Sequence, residues 1–259
     1  MHRHPDTFMQ PEELGARYPA YRPTYDFDGD YVNSTHRALA QRPVRRNGTI
    51  RIGRHLSWRL TLSNLAHDLF TWLRNAVRFG ASTPGWLRPA DALKLYELAY
   101  YAHGDVLELG SYHGLSTCIL AQANRDRPDP RGLYTVDLDP ACVITTLQSL
   151  RRKGLAEGVT TLCDDAVAAL ERFAGEGKQF ALVFVDPCHT YAHVLAVCRA
   201  LPAVVAEGGF CLFHDYNNPD NRDDARGDYG VYQAVRDGLD PAQFAFYGIY
   251  GCTGLFRKE

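Results

Sequence analysis

Val106-Leu107-Glu108-Leu109-Gly110-Ser111-Tyr112-His113-Gly114-Leu115-Ser116 runs from four mostly apolar residues into a turn framed by two glycines. The first four residues read as a buried strand. Gly110 permits a sharp turn at its end, and Gly114 lets a ligand approach the start of the helix that follows. The Gly-x-x-x-Gly spacing is not that of a dinucleotide-binding loop. Glu108, just ahead of the first glycine, would repel a pyrophosphate and attract a cation. A hydride-transferring dehydrogenase is therefore disfavoured, and a cationic ligand is favoured.

Outward from this stretch, short β-rich runs alternate with helical patterns. Strands are predicted over Val106–Gly110, Leu133–Asp137, Val159–Cys163, Phe180–Asp186 and Gly209–Asp215. Helices are predicted over Gly114–Ala123, Pro140–Lys153, Ala166–Phe173 and Thr190–Ala206. Near-continuously apolar strands in such an alternation indicate a parallel sheet covered on both faces. A helix over Val231–Gly238 then precedes two close β runs, Phe244–Tyr250 and Gly254–Arg257, which imply an antiparallel pair. The expected fold class is α/β, a Rossmann-like, seven-stranded, mostly parallel sheet with an antiparallel C-terminal strand.

Towards the N-terminus the texture differs. Leu62, Leu65, Leu69, Leu73 and Val77 recur at helical spacing, and Pro89 suits the first turn of a second helix over Ala90–Tyr101. The expected organisation is an irregular basic arm over 1–59, a helical extension over 60–104 acting in lid closure or oligomerisation, and a catalytic domain over 105–259. Up to Gly104 there are 14 Lys and Arg against 9 Asp and Glu; from Asp105 onward there are 14 against 21. Arg37, Arg42, Arg45, Arg46, Arg51, Arg54 and Arg59 fall in a stretch with no acid. Such an arm could meet nucleic acid or an anionic membrane surface, or be neutralised by the acidic remainder of its own chain. The arginines form no unbroken block, which favours the last reading.

With 46% hydrophobic and 22% charged residues, composition excludes a disordered, fibrous or disulfide-miniprotein chain. No apolar run approaches the ~20 residues of a membrane span. The first ten residues lack the apolar stretch of a secretion signal. Seven cysteines without a Cys-x-x-Cys pair fit a reducing compartment, and a cytoplasmic location is expected.

Ligands of open α/β sheets bind beyond the carboxyl ends of the strands. Those ends carry Glu108 and Gly110, Asp137, Asp164 and Asp165, Asp186, and His214 with Asp215. One such acid is ordinary loop chemistry; five on one rim suggest a site.

The run Glu108-Leu109-Gly110 through Gly114 resembles motif I of class I S-adenosylmethionine (SAM)-dependent methyltransferases. Phe184-Val185-Asp186-Pro187-Cys188-His189-Thr190-Tyr191 and Gly208-Gly209-Phe210-Cys211-Leu212-Phe213-His214-Asp215-Tyr216 resemble paired signatures of one subfamily. That subfamily contains sugar and macrolide O-methyltransferases of natural-product pathways, many needing a divalent cation. The resemblance covers about Asp105 to the C-terminus. It implies SAM as cofactor, with Glu108 meeting the methionine ammonium and Gly110, Ser111, Gly114 and Ser116 holding the carboxylate. It places the ribose hydroxyls on Asp137, with Asp139 as rival, and the adenine amino group on Asp165, with Asp164 as runner-up and candidate N-cap.

Asp186 and Asp215 end adjacent strands and could share Mg²⁺ or another divalent cation, which would acidify a substrate hydroxyl. His189, three residues past Asp186, is then placed as general base, with Asp186 as its catalytic companion. The chain departs from its relatives in carrying Pro187 for a glycine and His214-Asp215 where paired acids are common. His214 could ligate a softer metal, or serve as a second base with no metal. His193 lacks the partner glutamate of a zinc motif and reads as solvated or packed. The function implied is O-methylation of a small-molecule hydroxyl by a homo-oligomer built through its N-terminal helices. Two alternatives are a non-catalytic SAM-binding scaffold and a nucleic-acid methyltransferase using the arginine-rich arm. Against the second stand the acidic catalytic half and the lack of a base-methylating motif.

Overall fold

A strand that is apolar on both faces must be covered on both, and the computed structural model does this, among the described residues, with six helices around one sheet. It describes residue 83 and residues 85–87, 89–127, 129–222 and 229–259. Helix α1 (Pro89–Tyr101) leads into β1 (Val106–Leu109), α2 (Leu115–Asp126), β2 (Leu133–Asp137), α3 (Pro140–Arg152) and β3 (Val159–Cys163). Then follow α4 (Ala166–Gly175), β4 (Phe180–Val185), α5 (Tyr191–Ala200), β5 (Val205–Phe213), α6 (Val231–Gly238), β6 (Phe244–Tyr250) and β7 (Thr253–Lys258). The expected basic arm, the leucine-spaced helix over 60–77 and residues 223–228 of the loop after Asp215 lie outside the described residues.

The seven strands order as β3-β2-β1-β4-β5-β7-β6. The first five are parallel, and β7 lies antiparallel between β5 and β6. Alternate residues of each strand enter opposite cores. Leu107, Leu109, Val183 and Val185 pack with α4, α5 and α6 residues such as Phe173, Val197 and Val235. Val106, Leu182 and Phe184 pack with Leu95 and Leu98 of α1, Ile119 of α2 and Leu150 of α3. Each fully buried Leu or Phe contributes about 1.5–3 kcal/mol. Helix α1 thus shares the core of the sheet it precedes.

Two boundaries differ most from expectation. The helix predicted to reach Ala206 ends at Ala200 and tightens into a 3₁₀ turn over Leu201–Ala203. Pro202 lacks the N–H that an α-helix would need there. Strand β5 begins at Val205 rather than Gly209. The register slips between the Phe180 and Leu182 pairings, where Gly208 has φ +71°. The Gly208-Gly209 pair is therefore an irregularity inside the strand, as glycine in a strand often is.

Strand order reverses across β1, whose Leu109 pairs with Val136 on one side and Val185 on the other. Strands β1, β4 and β5 stop at Leu109, Val185 and Phe213, one residue or more short of the predicted ends. Gly110, Asp186, His214 and Asp215 are thereby freed from the ladder to line the crevice at this switch point.

Candidate active site

A cavity of about 710 Å³ opens over the carboxyl ends of β1, β2 and β4. That is within the range of small-molecule sites. One wall is the glycine loop. The Gly110 N–H donates to Val136 O at 2.8 Å, and the Asp186 N–H donates to Leu109 O at 2.8 Å. Gly110 has φ +91°, and a Cβ there would lie 2.0 Å from the Asp186 carbonyl oxygen. Only glycine fits. Gly114, at φ +87°, caps α2 against Thr146.

Asp137 holds this loop in place. Its Oδ2 accepts the Ser111 and Tyr112 backbone N–H groups at 2.9 and 2.8 Å and the Ser111 hydroxyl at 3.3 Å. Its Oδ1 accepts the Asp139 N–H at 3.0 Å. Asp139 caps α3 through the Ala141 N–H. Of the two rivals for the ribose position, Asp137 lines the cavity; both Asp164 and Asp165 do as well. The capping role foreseen for Asp164 belongs to Asp165, whose Oδ1 accepts the Val167 and Ala168 N–H groups at 2.9 and 3.1 Å. Asp164 instead pairs with Arg172 at 2.7 Å.

Ser111 and Ser116 are on the cavity lining; Glu108, fully buried, lies behind it. Glu108 Oε2 accepts the Thr117 and Thr135 hydroxyls at 2.5 and 2.6 Å, while Oε1 is buried with no hydrogen-bond partner. Burial pushes this carboxyl up to about 7 against the opposing pull of the Ser116, Thr117 and Thr135 hydroxyls.

The opposite rim gathers the other predicted residues into one cluster. His189 Nε2 sits 3.3 Å from Asp186 Oδ1 and 3.2 Å from Asp215 Oδ2. His214 Nδ1 sits 3.1 and 3.5 Å from the same two oxygens. One ligating atom from each of the four residues falls within 4.8 Å of every other. Asp215 takes a left-handed φ of +57°, and Asn218 Nδ2 donates to its Oδ1 at 2.9 Å.

Charge in this cluster is shared. Burial favours neutral forms, but the pairings win. Burial alone would lower His189, yet its hydrogen bonds to Asp186 and Asp215 raise it to about 9. His214 is likewise raised by Asp186 and Asp215 against the effect of burial. Asp186 and Asp215 are pushed up by burial but held below the ordinary carboxylate range by the two imidazoles. Two imidazole nitrogens and two carboxylate oxygens are a donor set suited to a divalent cation of intermediate softness.

Several participants escaped the sequence reading. Tyr229 stacks on His189 with centroids 5.2 Å apart and 11° between planes. His193 faces the cavity, and Trp86, Tyr112 and Leu138 form an exposed apolar lip around it. His193 reads in sequence as solvated or packed, a reading that leaves out its place on the cavity lining. The lip residues carry no motif signal.

Strand order, the reversed β7 and a ligand cavity at the β1/β4 switch point define the class I methyltransferase fold. Residues 107–216 match a family model described as a methyltransferase domain. No curated protein matches the chain in sequence. Among solved structures, the O-methyltransferase TomG of Streptomyces achromogenes, involved in tomaymycin synthesis and in complex with SAM, is 16% identical. It covers 90% of this chain and 99% of its own, with a TM-score of 0.55. An O-methyltransferase of Bacillus cereus in complex with SAH is 14% identical and covers 87% of this chain and 97% of its own, with a TM-score of 0.56. At these identities the likeness is one of fold. Among the described residues, no helix is long and apolar enough to cross a membrane.

Proposed function

We propose that the chain transfers the sulfonium methyl group of SAM to a hydroxyl oxygen of a small molecule, a sugar or natural product, with a divalent cation assisting. One observation carries this reading: the cavity has the glycine loop on one wall and His189 between two carboxylates on the other. A methyl donor and a nucleophile held on those two walls would meet in line. Such alignment supplies much of the rate in a displacement at carbon.

The residues suit the cofactor. Glu108 Oε1 is a buried acceptor without a partner, close behind the wall, where an ammonium would satisfy it. Gly110 leaves room for close approach, and Ser116 offers a hydroxyl to a carboxylate. Asp137 and Asp165 are the acceptors for the ribose and adenine ends. The apolar lip of Trp86, Tyr112 and Leu138 gives flat surface for the cofactor and for the body of the acceptor.

His189 takes the acceptor's proton, and to do so it must be neutral. In the bare protein two carboxylates hold its proton, which is why its pKa reaches about 9. A divalent cation held by Asp186, Asp215 and His214 would acidify the acceptor hydroxyl and offset that carboxylate charge.

The test has two stages. Calorimetric titration with SAM should show binding at micromolar or tighter affinity; no binding would end the methyltransferase reading. SAM carrying a labelled methyl group, offered with sugars and phenolic diols in the presence and absence of Mg²⁺ and Mn²⁺, should then yield a methyl ether. Binding without transfer to any hydroxyl would leave a cofactor-binding scaffold instead.

A further inference from the structure

Behind the rim, His214 turns its other nitrogen towards groups that the proposed reaction does not use. Asp91, in the first turn of α1, and Cys252, in the β6–β7 turn, are 1% and 2% exposed. Asp91 Oδ1 accepts the Cys252 backbone N–H at 3.0 Å and the Thr253 hydroxyl at 2.7 Å. Asp91 Oδ2 accepts the Cys252 thiol at 3.4 Å. Cys252 Sγ is in turn 3.4 Å from His214 Nε2, and Asp91 Oδ2 lies 4.0 Å from the same nitrogen. The carboxylate is wedged against the turn: a Cβ at Gly251, whose φ is +60°, would fall 2.3 Å from Asp91 Oδ1.

Hydrogens can be placed on this chain in one favourable way. The thiol donates to Asp91 Oδ2. The sulfur is then left to accept, and His214 Nε2 must be the donor. A bare Nε2 would set its lone pair against a sulfur lone pair with a carboxylate 4.0 Å behind, in a buried place where mismatched polar groups are costly. We propose that Asp91, acting through Cys252, is a positioning residue that keeps a proton on His214 Nε2. Nδ1 is thereby the nitrogen presented to Asp186, Asp215 and whatever they hold. A carboxylate that fixes an imidazole's tautomer through its far nitrogen is a general device of catalytic and metal sites. Here the carboxylate comes from α1, 95 positions ahead of Asp186 in sequence, and the sulfur from the last hairpin. The inference depends on the proposed methyl transfer only for what Nδ1 serves; the hydrogen placement stands without it.

Asp91 also secures the β6–β7 turn, so the test must separate holding a turn from setting a tautomer. The full chain with ¹⁵N-labelled histidine reports both ring nitrogens of His214 by long-range proton–nitrogen correlation. Wild type should show Nε2–H in slow exchange with solvent. D91N and C252A should expose that proton, speeding its exchange by about tenfold or more as the local protection is lost. T253V removes only a turn contact and should lower Tm while leaving the His214 signature as in wild type. If D91N and C252A both keep the wild-type Nε2–H signal, the proposal is overturned. Should D91N fail to fold, C252A decides, since the sulfur is the atom that touches the ring.

A second readout uses Mn²⁺ alone. Its affinity should fall about 10- to 100-fold in D91N, as for other lost supports of a ligating imidazole. A changed ring signal with unchanged Mn²⁺ affinity would overturn the link to the rim. A wild-type protein that binds no Mn²⁺ counts against the cation in the proposed function, while the exchange experiment still decides the role of Asp91.

Discussion

The glycine-loop wall and the rim of Asp186, His189, His214 and Asp215 face one cavity but are held by different forces. The wall is backbone geometry: Gly110 and Gly114 at positive φ, with the loop's N–H groups gathered by one carboxylate, Asp137. The rim is electrostatics: four titratable side chains whose charges depend on one another. Each side also holds one non-glycine residue in the left-handed region, Tyr112 at φ 47° and Asp215 at φ 57°. Such conformations cost about 1–3 kcal/mol and persist only where the surroundings enforce them. The wall suits a ligand that must always be placed the same way. The rim suits groups whose protonation has to change during a reaction.

That division can be broken most sharply at His189. His189→Ala should lower methyl transfer about 10²- to 10⁴-fold, the usual worth of a positioned acid–base group. SAM affinity should stay within about threefold, since the His189 ring contacts the rim carboxylates Asp186 and Asp215 and stacks on Tyr229, and none of these contacts is to the glycine loop. Single-turnover rates beside calorimetric titration read the two effects. A loss of SAM affinity as large as the loss of rate would show that wall and rim are one unit.

Gly110→Ala attacks the wall. The added Cβ meets the Asp186 carbonyl oxygen at 2.0 Å on a backbone already at φ +91°. Strain and overpacking together should destabilise by about 3 kcal/mol or more. SAM binding should be lost with it. Wild-type stability and affinity in this variant would mean that the loop relaxes freely and that the wall is softer than its geometry implies.

The same division explains what could be read from sequence. Strand–helix alternation and the Val106–Ser116 stretch were enough for the seven-stranded sheet, because β propensity, glycine placement and parallel crossovers are local or nearly so. They also placed Gly110, Asp137, Asp165, Asp186, His189 and Asp215 around one cavity. The β5 start and the α5 end were misplaced where Gly208 and Pro202 act through register and a missing N–H, details that hydrophobic period does not resolve. The support of the rim was invisible. Asp91 reads in sequence as a helix-start acid, Cys252 as a small hydrophobe and Tyr229 as a loop aromatic. Their meeting at His214 and His189 depends on tertiary contacts: Asp91 lies 161 positions from Cys252, Cys252 lies 38 from His214, and Tyr229 lies 40 from His189.

Glu108 tests whether the wall is charged when empty. Burial raises its folded pKa from 4.5 to about 7, so the folded protein holds this proton more tightly than the unfolded chain. Its contribution to stability is fully present below pH 4.5 and lost as pH rises through about 7, a total of about 3 kcal/mol. Urea unfolding without cofactor should therefore show wild type losing about 3 kcal/mol more than Glu108→Gln between pH 4.5 and 8. Equal pH slopes for the two proteins would mean that Glu108 ionises freely, and that the wall meets a cationic ligand already charged.

Asp165 carries the smallest effect and the finest distinction, because one carboxylate is asked to do two jobs. Its Oδ1 caps α4 through the Val167 and Ala168 N–H groups, while the proposed function needs a second oxygen for the adenine amino group. Serine caps a helix about as well as aspartate but has no second oxygen. Asp165→Ala should cost about 1 kcal/mol of stability from the lost cap. Asp165→Ser should hold stability within about 0.5 kcal/mol of wild type, yet weaken SAM about three- to tenfold, the worth of one hydrogen bond. Thermal unfolding and titration of both variants separate the jobs. If Asp165→Ser binds SAM as wild type does, the residue serves the helix alone. The adenine end would then fall to Asp164, which the Arg172 pair holds at the same edge of the cavity.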